Sequence, residues 1–303
     1  MNRYAIPGND LNALIANEFP EWTAKANVRT KVCRKLHAFD GGSPMWSQIK
    51  PRYMKLQYGK CAYCETQLEG GLRGPIAHDV EHFRPKNAVD AWPTEKIRKD
   101  RRIAYRFKTG AAWPQGYYLL AFRPANYLTA CKVCNSVLKR AYFPIAGKRG
   151  PQTDDPNVLA AEKPFLIYPL GSSDDDPEQV LSFDGIFPRP STRSGPKHRR
   201  AQVMIDFFEL DTREGLLLER AQQLTALMSA LIVLKSNAAP DDLAFALREI
   251  ELRTAIGSPH GNCARSFLKL HDVNPSRARK TAEGFMEYRE THMRKTVAGS
   301  PTE

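Results

Sequence analysis

The chain has 303 residues, 42% of them apolar, and carries a formal charge of +12 with a pI near 9.4. That length admits one large domain or two smaller ones with real cores, and the excess of Lys and Arg favours a polyanionic partner. No run of about 18 apolar residues occurs, and the first residues lack the charged start and apolar stretch of a secretory signal. No membrane span is therefore expected, and a cytoplasmic location is.

Residues 1–57 read as a helical segment. Leu11, Leu14, Ile15 and Phe19 fall at helical spacing behind Asp10, a fitting N-cap, and Pro20 ends the pattern. A basic stretch from Arg29 to Phe39 and a run from Trp46 to Tyr58, which Pro51 starts or interrupts, are expected to be helical too. Packing is the expected role of all three.

Residues 58–150 hold the chemistry. Of six cysteines, Cys61 and Cys64 form one Cys-x-x-Cys pair and Cys131 and Cys134 another, while Cys33 and Cys263 stand alone. Without a secretory signal, such pairs read as metal ligands before disulfides. The first pair sits in a turn of the zinc-knuckle kind. A loop follows at 70–75, then a short strand from Ile76 to Phe83, ended by Pro85. On that strand Glu81 and His82 face opposite ways unless a bulge re-aims one. His78 is open to two readings, a ligand or a plain polar strand residue. The insertion at 91–117 crowds Lys96, Arg98, Lys99, Arg101, Arg102, Arg106 and Lys108 among Trp92, Tyr105, Phe107 and Trp113. Phosphate contact with base stacking and a solvated loop pinned by its aromatics are both open. Beyond Asn126, the second cysteine pair opens a helix with Asn135, Leu138, Lys139 and Tyr142 on one face.

Residues 151–196 form an irregular connector, with an expected strand pair of Pro164–Pro169 and Gln179–Phe187. The acidic run Asp174–Asp176 reads as a turn. Residues 197–296 are helical. Arg213 to Ser236 carries Leu217, Leu224, Leu227 and Leu231 on a broad apolar face, and further helices are expected from Pro240, near 262–270 and at 275–293.

Four thiolates in two pairs make a closed, structural Zn²⁺ site. Phosphodiester hydrolysis needs a base for water and a cation for the charge on the leaving oxygen. His82 suits the first task. Glu81 and Asn135 supply hard oxygen ligands for Mg²⁺ or Mn²⁺. Arg84, Lys86, Lys139 and Arg140 are candidate phosphate contacts.

These residues resemble the HNH nuclease family, whose fold is a ββα-metal finger. The matching positions are Cys61, Cys64, Glu81, His82, Asn126, Cys131, Cys134, Asn135 and Lys139. The resemblance implies an α+β fold with a zinc-stabilised ββα-metal core flanked by helices, His82 as general base, Glu81 with Asn135 on the catalytic metal, and Asn126 orienting His82. Glu-His-Phe-Arg-Pro-Lys and Cys-x-x-Cys-Asn are similar to HNH proteins of bacterial anti-phage operons such as Septu, which work with a partner ATPase. The expected activity is a metal-dependent endonuclease on DNA. Its rivals are a zinc-clamped nucleic-acid-binding module without catalysis and an RNA-directed nuclease gated by an ATPase. Glu81 stands where Asp is commoner in the family, and Asn135 replaces His as the last ligand, which weakens soft-metal binding and favours Mg²⁺.

Overall fold

The computed structural model describes residues 1–68 and 78–298, an α+β chain in which helices surround two small antiparallel sheets. The expected loop at 70–75, the first two residues of the expected strand (Ile76 and Ala77) and the tail at 299–303 lie outside the described residues.

Helix α1 spans Leu11–Glu18, and the Asp10 carboxylate accepts from the N–H groups of Asn12 and Ala13, filling two donors that the first turn leaves open. Pro20 does more than end it. It opens α2, Pro20–Leu36, where a missing N–H is harmless and a fixed φ suits the first turn. The helix expected from Arg29 is thus the second half of a longer one. A 3-10 turn at Trp46–Ile49 runs into α3, Lys50–Leu56, with Pro51 in its first turn.

Strand β1, His78–His82, pairs antiparallel with β2, Tyr127–Cys131, setting His78 opposite Cys131 and His82 opposite Tyr127. The excursion between them holds α4, Glu95–Asp100. Its aromatics are packed inward: Trp92 lies 4.8 Å from Phe207 and Phe107 stacks on Phe165 at 5.5 Å, while the Tyr105 hydroxyl donates to Asp206. These rings pin the insertion and are not free to stack on bases. Lys96, Arg98, Lys99 and Arg102 remain exposed.

The helix after β2 is wider than expected. Val133–Lys139 is a π-helix, and the Arg140 N–H reaches the Asn135 carbonyl at 2.8 Å. An i→i+5 turn holds a little over four residues, so Asn135 and Lys139 stand nearly in line.

The expected pairing of 164–169 with 179–187 is replaced by another. After the short α5, Pro177–Val180, strand β3, Leu181–Asp184, pairs with β4, Phe187–Pro190, around Gly185. Pro164 and Pro169 lack the N–H a ladder needs, and that stretch keeps isolated bridges, at Pro164 to Ile145 and at Leu170 to Tyr4. Asp174 pairs with Arg200 and Asp176 caps α5, so the acidic run is a turn.

The remainder is helical: α6 Gly195–Phe208, α7 Glu214–Leu234, α8 Pro240–Thr254, α9 Gly261–Val273 and α10 Pro275–Ala298. Helix α7 is long and apolar enough to cross a membrane by length and composition, although Glu219, Arg220, Gln222 and Gln223 interrupt its apolar residues. Its Leu217, Leu224, Leu227 and Leu231 are buried against Cys263, Phe267, Ala278 and Ala282 in a second core. The larger core gathers Tyr53, Phe83, Tyr127, Phe143, Leu166, Met204 and Phe207 around the β1–β2 ribbon.

Candidate metal centre and histidine site

The turn after α3 is sewn to β2 by Gln57. Its Nε2 donates to the carbonyls of Lys60 and Thr129, each at 2.9 Å, and its Oε1 accepts from the Thr129 N–H at 2.8 Å. The Ala62 N–H also donates to the Thr129 carbonyl, at 3.0 Å. This lays Cys61 and Cys64 beside Cys131 at the end of β2 and Cys134 in the following turn. The four sulfurs lie within 4.8 Å of one another, with Cys64 and Cys131 3.8 Å apart. A tetrahedral ion with Zn–S bonds of about 2.3 Å spaces its ligands about 3.8 Å apart. The four cysteines could therefore hold a structural metal such as zinc, in a shell that protein sulfurs close completely.

The surroundings fit that charge. Arg213, the residue before α7, places Nη1 3.3 Å from Cys134 Sγ. Burial alone would lower the guanidinium's pKa, yet the neighbouring sulfurs, Cys134 foremost, hold it above its ordinary value. Burial pushes the Cys61 and Cys134 thiols up, whereas hydrogen bonding from Cys134 draws Cys131 down. Tyr63, between the first two cysteines, stacks on Phe208 at 4.2 Å. From the other side Lys60, whose pKa burial lowers to about 8, donates to the carbonyls of Ile256 and Ser258 at 2.5 and 2.9 Å.

A second cluster lies along β1. The His82 ring is 8% exposed and held edge-on between Trp46 at 4.7 Å and Tyr127 at 5.0 Å. Its Nε2 lies 3.1 Å from the Ala121 carbonyl, which also accepts from the Tyr127 hydroxyl at 2.5 Å. A carbonyl only accepts, so Nε2 carries the proton and Nδ1 the lone pair. Burial, then the Lys86 charge, lowers the His82 pKa to about 3, so the ring is neutral near pH 7. Asn126 ties down both sides of this arrangement. Its Oδ1 accepts from the Arg84 N–H at 2.8 Å, and its Nδ2 donates to the carbonyls of Arg84 at 2.9 Å and Leu120 at 3.2 Å.

Glu81 is buried and ion-paired with Lys139, whose Nζ also donates to the His82 carbonyl at 2.9 Å. Burial raises the Glu81 pKa, and the attraction of Lys139 offsets part of that rise. Asn135 is half-buried, four residues before Lys139.

Two candidate phosphate contacts need correction. Arg84 is 6% exposed and its Nε donates to Glu162 at 3.1 Å, while Lys139 is 1% exposed and spent on Glu81 and His82. Neither charge faces the surface. Arg140 is exposed, and Lys86 is half-buried with its ammonium 4.8 Å from the Trp46 ring and 5.2 Å from that of Phe39.

Arg213, Trp46 and Gln57 were missed from sequence. Arg213 lies 79 positions from the sulfur it touches, and nothing in its own segment marks it. Gln57, four residues before Cys61, was near enough in the chain to be suspected. No protein-family model matches the chain, and neither the curated proteins nor the solved structures give a match.

Proposed function

We propose that the chain is a metal-dependent endonuclease of the HNH kind, hydrolysing DNA to 5′-phosphate and 3′-hydroxyl ends as the nuclease effector of a bacterial anti-phage system. The supporting observation is the tautomer of His82: with Nε2–H spent on Ala121, the ring offers Nδ1 as a neutral proton acceptor fixed in orientation. The order strand, strand, helix with cysteines at its start, Cys61, Cys64, Cys131 and Cys134 clamping it, supports the ββα-metal reading.

Glu81 and Asn135 would hold Mg²⁺ or Mn²⁺. The fit rests on Glu81, a buried carboxylate already facing a cation in Lys139. A divalent ion bound there would supply charge for the scissile phosphate and the leaving oxygen. His82 Nδ1 takes the proton from the attacking water, Asn126 keeps the His82–Arg84 segment in register, and Trp46 and Tyr127 hold the ring plane. Lys86, Arg140 and the exposed charges of the insertion would meet the DNA backbone.

The burial of His82 favours one rival, a zinc-clamped nucleic-acid-binding module without catalysis. Nicking of supercoiled plasmid with Mg²⁺ or Mn²⁺, compared between the parent and His82→Ala, separates them. The expected result is metal-dependent cleavage that falls roughly 10²–10⁴-fold in the variant while its zinc content is unchanged. Equal cleavage by both proteins would remove His82 as the base. DNA binding without cleavage, in the presence of any co-purifying ATPase as well, would leave the binding module standing.

A further inference from the structure

The ring of Trp46 meets two of the groups at the histidine site. Its centroid lies 4.7 Å from that of the His82 ring and 4.8 Å from Lys86 Nζ. Phe39 offers the same ammonium a second ring, at 5.2 Å. Both distances fall in the range over which an aromatic face attracts a cation. The backbone beneath Trp46 is fixed from α2, because the Trp22 Nε1–H donates to the Met45 carbonyl at 2.9 Å. Phe39 packs in turn on Phe122 at 5.8 Å, next in the chain to Ala121, whose carbonyl holds His82. One aromatic band thus runs past both the lysine and the histidine.

Lys86 is the cation of that band with charge to spare. Arg29, over the Phe122 ring at 4.3 Å, donates to Asp40 through Nε at 2.7 Å. Arg84 and Lys139 are buried and answered by Glu162 and Glu81. Lys86 is half-buried, and none of its N–H groups has a protein acceptor among the described residues. It is also the charge that acts most strongly on the His82 ring, and the Glu81 carboxylate acts on it in turn. An ammonium held by rings alone keeps its donors for an oxyanion that arrives beside the histidine.

We infer that Trp46 is a positioning residue that holds Lys86 on the reacting phosphate, rather than on the DNA backbone at large. That role presupposes endonuclease chemistry at His82. Water bonds to phosphorus and gives a proton to His82 Nδ1, while the 3′ oxygen leaves with the bonding pair and takes a proton from solvent. Lys86 answers the charge that builds on a non-bridging oxygen. Beside a ring only 8% exposed, such a contact is worth more than it would be in open water. Trp46 acts through Lys86, by limiting where the ammonium can go.

Single-turnover cleavage of plasmid DNA by saturating full-length protein, with Mg²⁺ or Mn²⁺, tests this, with DNA affinity read from the same titration. Lys86→Met keeps an apolar stem on the rings and should slow cleavage about 10²-fold, at nearly unchanged DNA affinity and melting temperature. Trp46→Phe keeps a ring against His82 but attracts a cation less, and should slow the parent about threefold. The same change made in Lys86→Met should cost nothing further, since the ring then has no ammonium to hold. A Lys86→Met protein that cleaves at the parent's rate or loses only affinity would overturn the inference and leave the nuclease reading intact. So would a Trp46→Phe effect of equal size in both backgrounds. A parent that cleaves nothing would overturn both.

Discussion

Lys139 and Glu81 form a buried ion pair in which the ammonium is shared with the His82 carbonyl. Removing one partner strands the other's charge in a site that water barely reaches. Lys139→Met is expected to destabilise the fold by about 3–5 kcal/mol, and Glu81→Met with Lys139→Met together should recover most of that loss. Urea unfolding of the three proteins checks it; a single variant as stable as the parent would show that the pair carries no such penalty.

The sulfur cluster should contain one zinc per chain, read by elemental analysis. Cys134→Ser should lose it and unfold at lower temperature. Arg213→Gln keeps all four ligands but withdraws the cation beside Cys134. Loss of such an outer partner typically weakens metal affinity by about 10–100-fold, measurable by competition with a chelator. An unchanged affinity would mean that Arg213 serves only to dock the start of α7.

Acid should act through His82. Its folded pKa is depressed to about 3 by burial and then by Lys86, so the unfolded chain binds this proton more readily from about pH 6.5 downward. The stability tied to the neutral ring is complete above about pH 6.5 and drains as pH falls toward 3. The full loss is on the order of 5 kcal/mol. His82→Gln should show a shallower fall over that window in pH-dependent denaturation. Parallel curves would place the acid sensitivity elsewhere.

Gly116 marks where the insertion rejoins the body. Its φ is +58°, and a Cβ there would sit 1.7 Å from the Asn87 carbonyl oxygen. Gly116→Ala should cost more than about 2 kcal/mol, since backbone strain and a backbone clash add. Thermal unfolding against Gly215→Ala, where a Cβ meets nothing within 4 Å, is the matched control.

Local chemistry made part of this molecule legible beforehand. Asp10 as a cap, Cys-x-x-Cys as half a metal shell and the apolar face of α7 depend on neighbours a few residues away. Pro20 is legible as the end of α1 but not as the start of α2, because its ring suits both positions. Nothing local marks the π-helix, because the same residues suit an α-helical face. Arg84 and Lys139 looked like surface cations because nothing local reveals that Glu162 and Glu81 await them. Long-range pairing decides burial, and sequence distance hides it.

The clamp also sets a schedule for synthesis. Cys64 leaves the ribosome 67 positions ahead of Cys131, roughly 3–13 s at ordinary elongation rates. Through that interval Cys61 and Cys64 are an exposed dithiol with half a coordination shell, open to oxidation or to a borrowed ion. Arg213 arrives later still, so a nascent chain can close its sulfur cage before the cation that balances it exists. An ion that entered during synthesis would meet only half of its shell until Cys131 and Cys134 emerge.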